Sequence, residues 1–283
     1  MTNNAYQTGT SLDWRARSGL SNVMSNSRGN WMQIDLNADL GEGYGPWTMG
    51  ADGAMLQVVS SANIACGGHA SDPETMFATL SLAQAQGVRV GAHPGYADPL
   101  GFGRRVIPMS APQIEQMVAA QIGCLMGVAA LAGVRVGYVK AHGALANLAA
   151  ENRDVADAVV RAVRAVSRDL AYLAISGTCQ QEAGLAAGLQ TFAEVFADRA
   201  YQPNGRLVPR SHPLAMIHDP AAAAARLLSF VQTGLMPVLD GPAIPLQAQS
   251  VCVHGDSPGA VAMAQHVATA LRGAGIGIKA FMT

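Results

Sequence analysis

The sequence predicts a single-domain parallel (β/α) barrel of seven strands over residues 31–283. Two observations carry that expectation. From residue 31 onward, short apolar runs alternate with longer helix-patterned runs and no composition break interrupts them; strict strand–helix alternation implies a parallel sheet. Six of the seven strand candidates also carry ionisable side chains at their carboxyl ends. A closed barrel gathers every such end around one mouth, whereas an open sheet uses only the few strands beside its crevice.

The first strand candidate, Met32–Asp39, leads across Gly41-Glu42-Gly43-Tyr44-Gly45 and so delivers Asp39 and Glu42. Asp52 stands before a helix expected over Ala54–Ala62, and the second strand, Ser61–Cys66, ends toward His69. Asp72-Pro73 opens a helix over Glu74–Gln86, Gly87 closes it, and Val88–His93 follows as strand three. Ser110 precedes a helix over Ala111–Ala132 closed by Gly133, and strand four, Val136–His142, carries Lys140 and His142. Strand five is Ala171–Ser176, and strand six, Gln190–Ala197, runs into Asp198 and Arg199. Asp219-Pro220 opens a helix over Ala221–Thr233 closed by Gly234, and strand seven, Ser250–His254, leads to Asp256.

The chain has 283 residues, half of them hydrophobic, with 18 Lys and Arg against 19 Asp and Glu. A formal charge of −1 offers no basic field to hold nucleic acid or an anionic membrane. The apolar stretches Ala221–Ala225 and Val155–Val166 are short or broken by Arg, and no run is expected to reach the roughly 20 residues of a membrane helix. Residues 1–30, rich in Asn, Ser, Thr and Gly, offer little apolar surface and read as a flexible tail without a secretory h-region. Cys66, Cys124, Cys179 and Cys252 lie far apart without metal-finger spacing and read as buried thiols of a cytoplasmic protein.

The glycine-rich turn after strand one is spaced G-x-G-x-G, with Pro46 where a dinucleotide fold would begin its helix and Glu42 where a pyrophosphate would sit. It reads as a turn that brings Asp39 and Glu42 into the mouth. His69, His93, His142 and His254 each follow an apolar run and neighbour Gly or Pro, and with Asp39, Glu42 and Asp256 they form a candidate functional cluster. Imidazole and carboxylate are ligands for Zn, Mn and non-haem Fe, so Asp39, His69 and His93 are a candidate divalent-metal set, without HxxxH or HExxH support. Arg104, Arg105, Lys140, Arg199, Arg206 and Arg210 would clamp an anionic substrate if they faced the mouth. Cys66, flanked by Ala65 and Gly67, reads as a packing residue rather than a nucleophile.

Seven ordered segments carry a resemblance: Asp35-Leu36-Asn37-Ala38-Asp39-Leu40-Gly41-Glu42, Ala62-Asn63-Ile64-Ala65-Cys66-Gly67-Gly68-His69, Gly91-Ala92-His93-Pro94-Gly95-Tyr96, Gly101-Phe102-Gly103-Arg104-Arg105, Val139-Lys140-Ala141-His142-Gly143-Ala144-Leu145, Glu194-Val195-Phe196-Ala197-Asp198-Arg199 and Val251-Cys252-Val253-His254-Gly255-Asp256. From about residue 32 onward the chain resembles the LamB/YcsF family, the A subunits of bacterial 5-oxoprolinases. The resemblance implies a distorted (β/α) barrel of the glycoside hydrolase/deacetylase type and ATP-dependent opening of the 5-oxoproline lactam to glutamate, together with separate B and C subunits. The sequence departs from the family pattern at Gly68, where Phe is expected, at Ser71 for Gly, at Ala141 for Pro and at Ala146 for Tyr.

Opening a lactam requires an activated carbonyl, a positioned water and a protonated leaving nitrogen. On that reading Asp39 or Glu42 is the general base, and His69, His93 and His142 polarise or protonate. Lys140 and Arg105 anchor a carboxylate or phosphate, with Asn37, Asn63, Arg199, His254 and Asp256 completing the substrate site. No G-x-x-x-x-G-K-[ST] loop is present, so ATP is expected to bind with the partner subunits. Two alternatives remain open from the residues alone: a stand-alone metal-dependent amide hydrolase or deacetylase, and a non-catalytic substrate-binding subunit.

Overall fold

The computed structural model describes residues 33–256 and 259–282; the tail expected over residues 1–30 lies outside them. In chain order the strands are β1 (Gln33–Leu40), β2 (Ser61–Ala65), β3 (Arg89–His93), β4 (Val136–Val139), β5 (Ala171–Ile175), β6 (Thr191–Phe196), β7 (Leu235–Met236), β8 (Ile244–Pro245), β9 (Ser250–Val253) and β10 (Gly277–Ile278). β1 to β6 pair in sequence, all parallel, and β9 closes the barrel by pairing with both β6 and β1. Seven strands therefore form the closed wall. β10 extends the lower part of β1, and β7 and β8 make a separate antiparallel ribbon. The barrel is distorted by a register shift between β3 and β4 at Val90 and Gly91.

The helices are α1 (Asp52–Met55), α2 (Pro73–Ala85), α3 (Ala111–Leu131), α4 (Gly143–Glu151), α5 (Arg153–Val166), α6 (Cys179–Ala186), α7 (Pro220–Thr233) and α8 (Ala260–Gly273). Asp72 and Asp219 accept the first backbone N–H groups of α2 and α7, as their positions predict, and Gly87, Gly133 and Gly234 follow their helices with φ of 68°, 66° and 73°. The helix expected over Ala54–Ala62 is corrected to the single turn of α1. Ser60 has to leave the helix because its N–H donates to the Leu36 carbonyl and its hydroxyl to Asp35, which starts β2. Asp52 is not a cap: its carboxylate accepts from Gly41 N–H and Thr79 Oγ1 and so ties the loop after β1 to α2.

α3 corrects another expectation, because it is long and apolar enough by length and composition to cross a membrane. Ile114, Val118, Ile122 and Leu125, spaced along one helical face, are nonetheless buried in the protein core, and α3 packs along α5. Of the four cysteines, Cys66 and Cys252 are buried while Cys124 is exposed and Cys179 half-buried. The expectation of four buried thiols holds for two.

Along β1 the side chains alternate. Ile34, Leu36, Ala38 and Leu40 join the apolar layer under the helices. Asp35, Asn37 and Asp39 take the opposite face and bond across the barrel to Ser250, Glu194 and Lys140. The interior is thus polar along this strand. Below it, Tyr138, Ala171, Leu173 and Phe192 form a small apolar cluster covered by Phe281 and Met282.

Candidate active site

The carboxyl ends of the strands surround a cavity of about 430 Å³, open mouth included. β1 brings Asp39 to its wall and β3 brings His93. The segment after β4 supplies Lys140 and His142, β6 supplies Glu194, the segment after β6 supplies Arg199, and the residue following β9 is His254. Lys140 and His142 lie beyond β4 proper, yet their backbone N–H groups still donate to Ala92 and Pro94, which continues the alignment with β3.

Asp39 is the most firmly held group. Its Oδ1 accepts from Asn63 Nδ2 at 2.8 Å and from Lys140 Nζ at 3.0 Å, while Oδ2 lies 3.3 Å from His93 Nε2. Burial would raise this carboxyl, but His93 and Lys140 outweigh it and hold the group well below the usual carboxylate range. Lys140 also lies 3.1 Å from Glu194 and bonds Cys252 Sγ. Burial works against its ammonium; Asp39, Cys252 and Glu194 prevail and hold it above its ordinary range. It is therefore a fixed positive charge inside the barrel.

Glu42 and His69 form a second layer. Their side chains meet at 3.1 Å, and the His69 ring stacks on His142 with centroids 3.6 Å apart, but neither residue lines the cavity. Burial, then Asp39 and Asp256, push the Glu42 carboxyl well above its usual range, and burial lowers both His69 and His142. Asp39 thus gives up its proton more readily than a free carboxyl, Glu42 holds its proton more tightly, and the two imidazoles take one up less readily.

The loop before α3 is held against the stacked rings by Gly103, at φ 61°, where a Cβ would come within 2.7 Å of His69 Cβ and 2.9 Å of His142 Cδ2. The departures at Gly68 and Ser71 have visible consequences. Over Gly68 lies the Gln121 amide, which bonds both backbone groups of Gly95, so a Cβ at residue 68 would meet it at 2.3 Å. Ser71 adopts φ 77°, a conformation that favours glycine, and its buried hydroxyl has no hydrogen-bond partner. Ala146 lines the cavity beside Asn147, and its small side chain leaves room there.

Arg105 is not at the mouth, which corrects its expected role as an anchor: it pairs with Asp98 through Nε at 2.9 Å and its side chain is 65% exposed. Asp256 pairs with Arg104 at the rim. Asn37 and Asn63 lie in the interior beneath Asp39, bonded to one another at 2.7 Å. Of the candidate metal set, Asp39 and His93 share a potential ion position with His142, whereas His69 groups with Glu42 and His142.

The far wall carries Arg199 and Arg210. Arg199 donates to the Val208 carbonyl and its buried Nε has no partner. Arg210 donates to His254 Nε2 at 3.0 Å, and His254 Nδ1 in turn donates to Asp198 at 2.8 Å. Glu194, which holds Lys140 from the opposite side to Asp39, escapes the sequence reading. Its one signal is a lone acid inside the apolar strand Thr191-Phe192-Ala193-Glu194-Val195-Phe196.

Comparison with known proteins places the chain in a family. The family model described as LamB/YcsF family matches residues 34–283. A protein of Rhodopseudomonas palustris (strain BisB18), named as the A subunit of 5-oxoprolinase, is 51% identical, covering 88% of this chain and 98% of its own length. One of the same name from Chloroflexus aggregans is 50% identical with equal coverage. The crystal structure of a lactam utilization protein from Thermus thermophilus superposes with a TM-score of 0.83 at 40% identity, covering 88% of this chain and 100% of the other. With the family model spanning the whole barrel from β1 onward, the chain belongs to the LamB/YcsF family.

Proposed function

We propose that this chain is the lactam-opening subunit of an ATP-dependent 5-oxoprolinase, in which 5-oxoproline, water and ATP yield glutamate, ADP and phosphate. The observation that carries the reading is one cavity with an ionised, anchored carboxylate on one wall and two guanidinium groups on the other, Arg199 and Arg210, with no carboxylate in direct contact among the described residues. Lys140 is already neutralised by Asp39 and Glu194, and Arg104 by Asp256. The surplus positive charge suits a small anion such as the carboxylate of 5-oxoproline. The names carried by the relatives point to the same substrate.

In this reading Asp39 accepts a proton from the attacking water. His93 and His142 face the substrate beside it, and Glu42 and His69 position His142 from behind. Lys140 keeps Asp39 ionised. ATP is bound with B and C subunits in the cytoplasm, a setting compatible with four unpaired thiols. The test is ATP-dependent glutamate release from 5-oxoproline by this chain with and without candidate B and C subunits. Turnover is expected only from the mixture. No release from any mixture overturns the lactam reading, and equal turnover by the chain alone overturns its dependence on partners.

A further inference from the structure

We propose that Asp39, His93 and His142 form a binding site for one divalent transition-metal ion of the zinc class, facing the cavity. The carrying observation is that outer hydrogen bonds aim one nitrogen of each of two imidazoles at the same place as a carboxylate oxygen. His93 Nδ1 lies 2.9 Å from the Lys140 carbonyl oxygen, and His142 Nε2 lies 2.9 Å from the Phe102 carbonyl oxygen. A carbonyl only accepts, so each of these nitrogens carries the ring's proton. The other nitrogen of each ring, His93 Nε2 and His142 Nδ1, is thereby turned toward the other ring and the two carboxyl groups.

Those two nitrogens lie 3.0 Å apart. Asp39 Oδ2 stands 3.3 Å from the first and Glu42 Oε1 stands 3.6 Å from the second. Two ring nitrogens and a carboxylate oxygen converging on one place suit a divalent cation there. The outer partners are those of metal sites, in which a ligating histidine gives its second N–H to a backbone carbonyl and a ligating carboxylate is itself hydrogen-bonded. Asp39 meets the second condition through Asn63 and Lys140, both on its other oxygen.

The donor atoms of the three residues lie within 4.8 Å of one another and all three residues line the cavity, which leaves an open side toward substrate. Two imidazole nitrogens and one carboxylate oxygen with an open position are a donor set for zinc or a similar ion. Bound there, such an ion would supply Lewis-acid chemistry, with Asp39 as its ligand rather than the proton acceptor for water. The site deepens the lactam reading and rests on it only for its use, since binding can be measured without turnover.

The test is titration of the chelator-treated chain with cobalt(II) and zinc(II), by calorimetry and by the visible absorption of bound cobalt. One equivalent per chain is expected, with a cobalt spectrum of low coordination number. His93→Ala and His142→Ala are each expected to weaken binding by at least about 100-fold, the upper end of what losing an outer partner costs. His69→Asn is expected to retain binding, with far-ultraviolet circular dichroism confirming that each variant is folded. Failure of the wild-type chain to take up a stoichiometric ion overturns the site, as does unchanged affinity in both alanine variants. Bound ion without 5-oxoproline hydrolysis by any reconstituted mixture leaves the site standing and removes the lactam reading. Full hydrolysis by a chain that binds no ion does the reverse.

Discussion

Asp35 and Asp39 lie on the same strand, face the same barrel interior and are both buried, yet their surroundings drive them in opposite directions. Asp35 accepts hydrogen bonds from the hydroxyls of Ser60, Ser61 and Ser250 and has no cation beside it. Burial dominates and pushes its carboxyl up to about 6. Asp39 touches Lys140 and His93, and its carboxyl is held far below the ordinary range. Hydroxyl donors alone therefore do not cancel the cost of burying a carboxylate in this barrel, whereas His93 and the Lys140 ammonium at 3.0 Å reverse the direction of the shift. The two residues divide β1 into a structural lower half and a chemical upper end.

The comparison breaks most visibly at Asp39. Asp39→Asn should fold and lower turnover of the reconstituted complex by about 10²–10⁴-fold, the usual worth of a general base. Normal turnover would move the chemistry elsewhere. Lys140→Met should destabilise the chain by about 3–5 kcal/mol, because Asp39 and Glu194 would be left buried without their shared cation; a thermal melt at neutral pH reads this out.

Asp35→Asn sharpens the contrast from below. A carboxyl whose folded value is raised from 3.8 to about 6 contributes stability that is full below pH 4 and is lost as pH rises through 6. The wild-type minus variant difference in unfolding free energy should therefore fall by roughly 2–3 kcal/mol between pH 4 and 7. A flat difference would show that Asp35 titrates normally. The smallest effect is expected from Arg105→Ala at the exposed rim, with turnover and melting temperature nearly unchanged.

The mouth is legible in the sequence because polar residues at the ends of apolar runs have few other places to go in a parallel barrel. Asp39, His93, Lys140, His142 and His254 converge as that pattern requires. Depth is not legible: Glu42 and His69 carry the same residue types as the cavity wall but stand behind His142. Arg105 misleads for a similar reason, since Asp98, seven positions earlier, captures it locally. Four helices give little sign of where they start. α4, α6 and α8 begin at His142, Thr178 and Gly259 with no side-chain cap, and only α5 displays one, at Asn152. The helix after Asp52 is shorter than its local pattern predicts because the hydroxyl of Ser60 serves Asp35 on another strand, a pairing invisible to local propensity.

The bond from Ser250 to Asp35 joins residues 215 positions apart, and the same seam pairs β9 with β1. A nascent chain emerging from the ribosome can assemble β1 to β6 only as an open sheet with two bare edges, because the strand that fills the gap is made last among the seven. Closure therefore waits for β9, and the seam is the slow, long-range step of folding. Until it forms, Asp35 faces water and the edges of β1 and β6 are free to pair with other chains, which makes this seam the point where a folding chaperone has the most to protect.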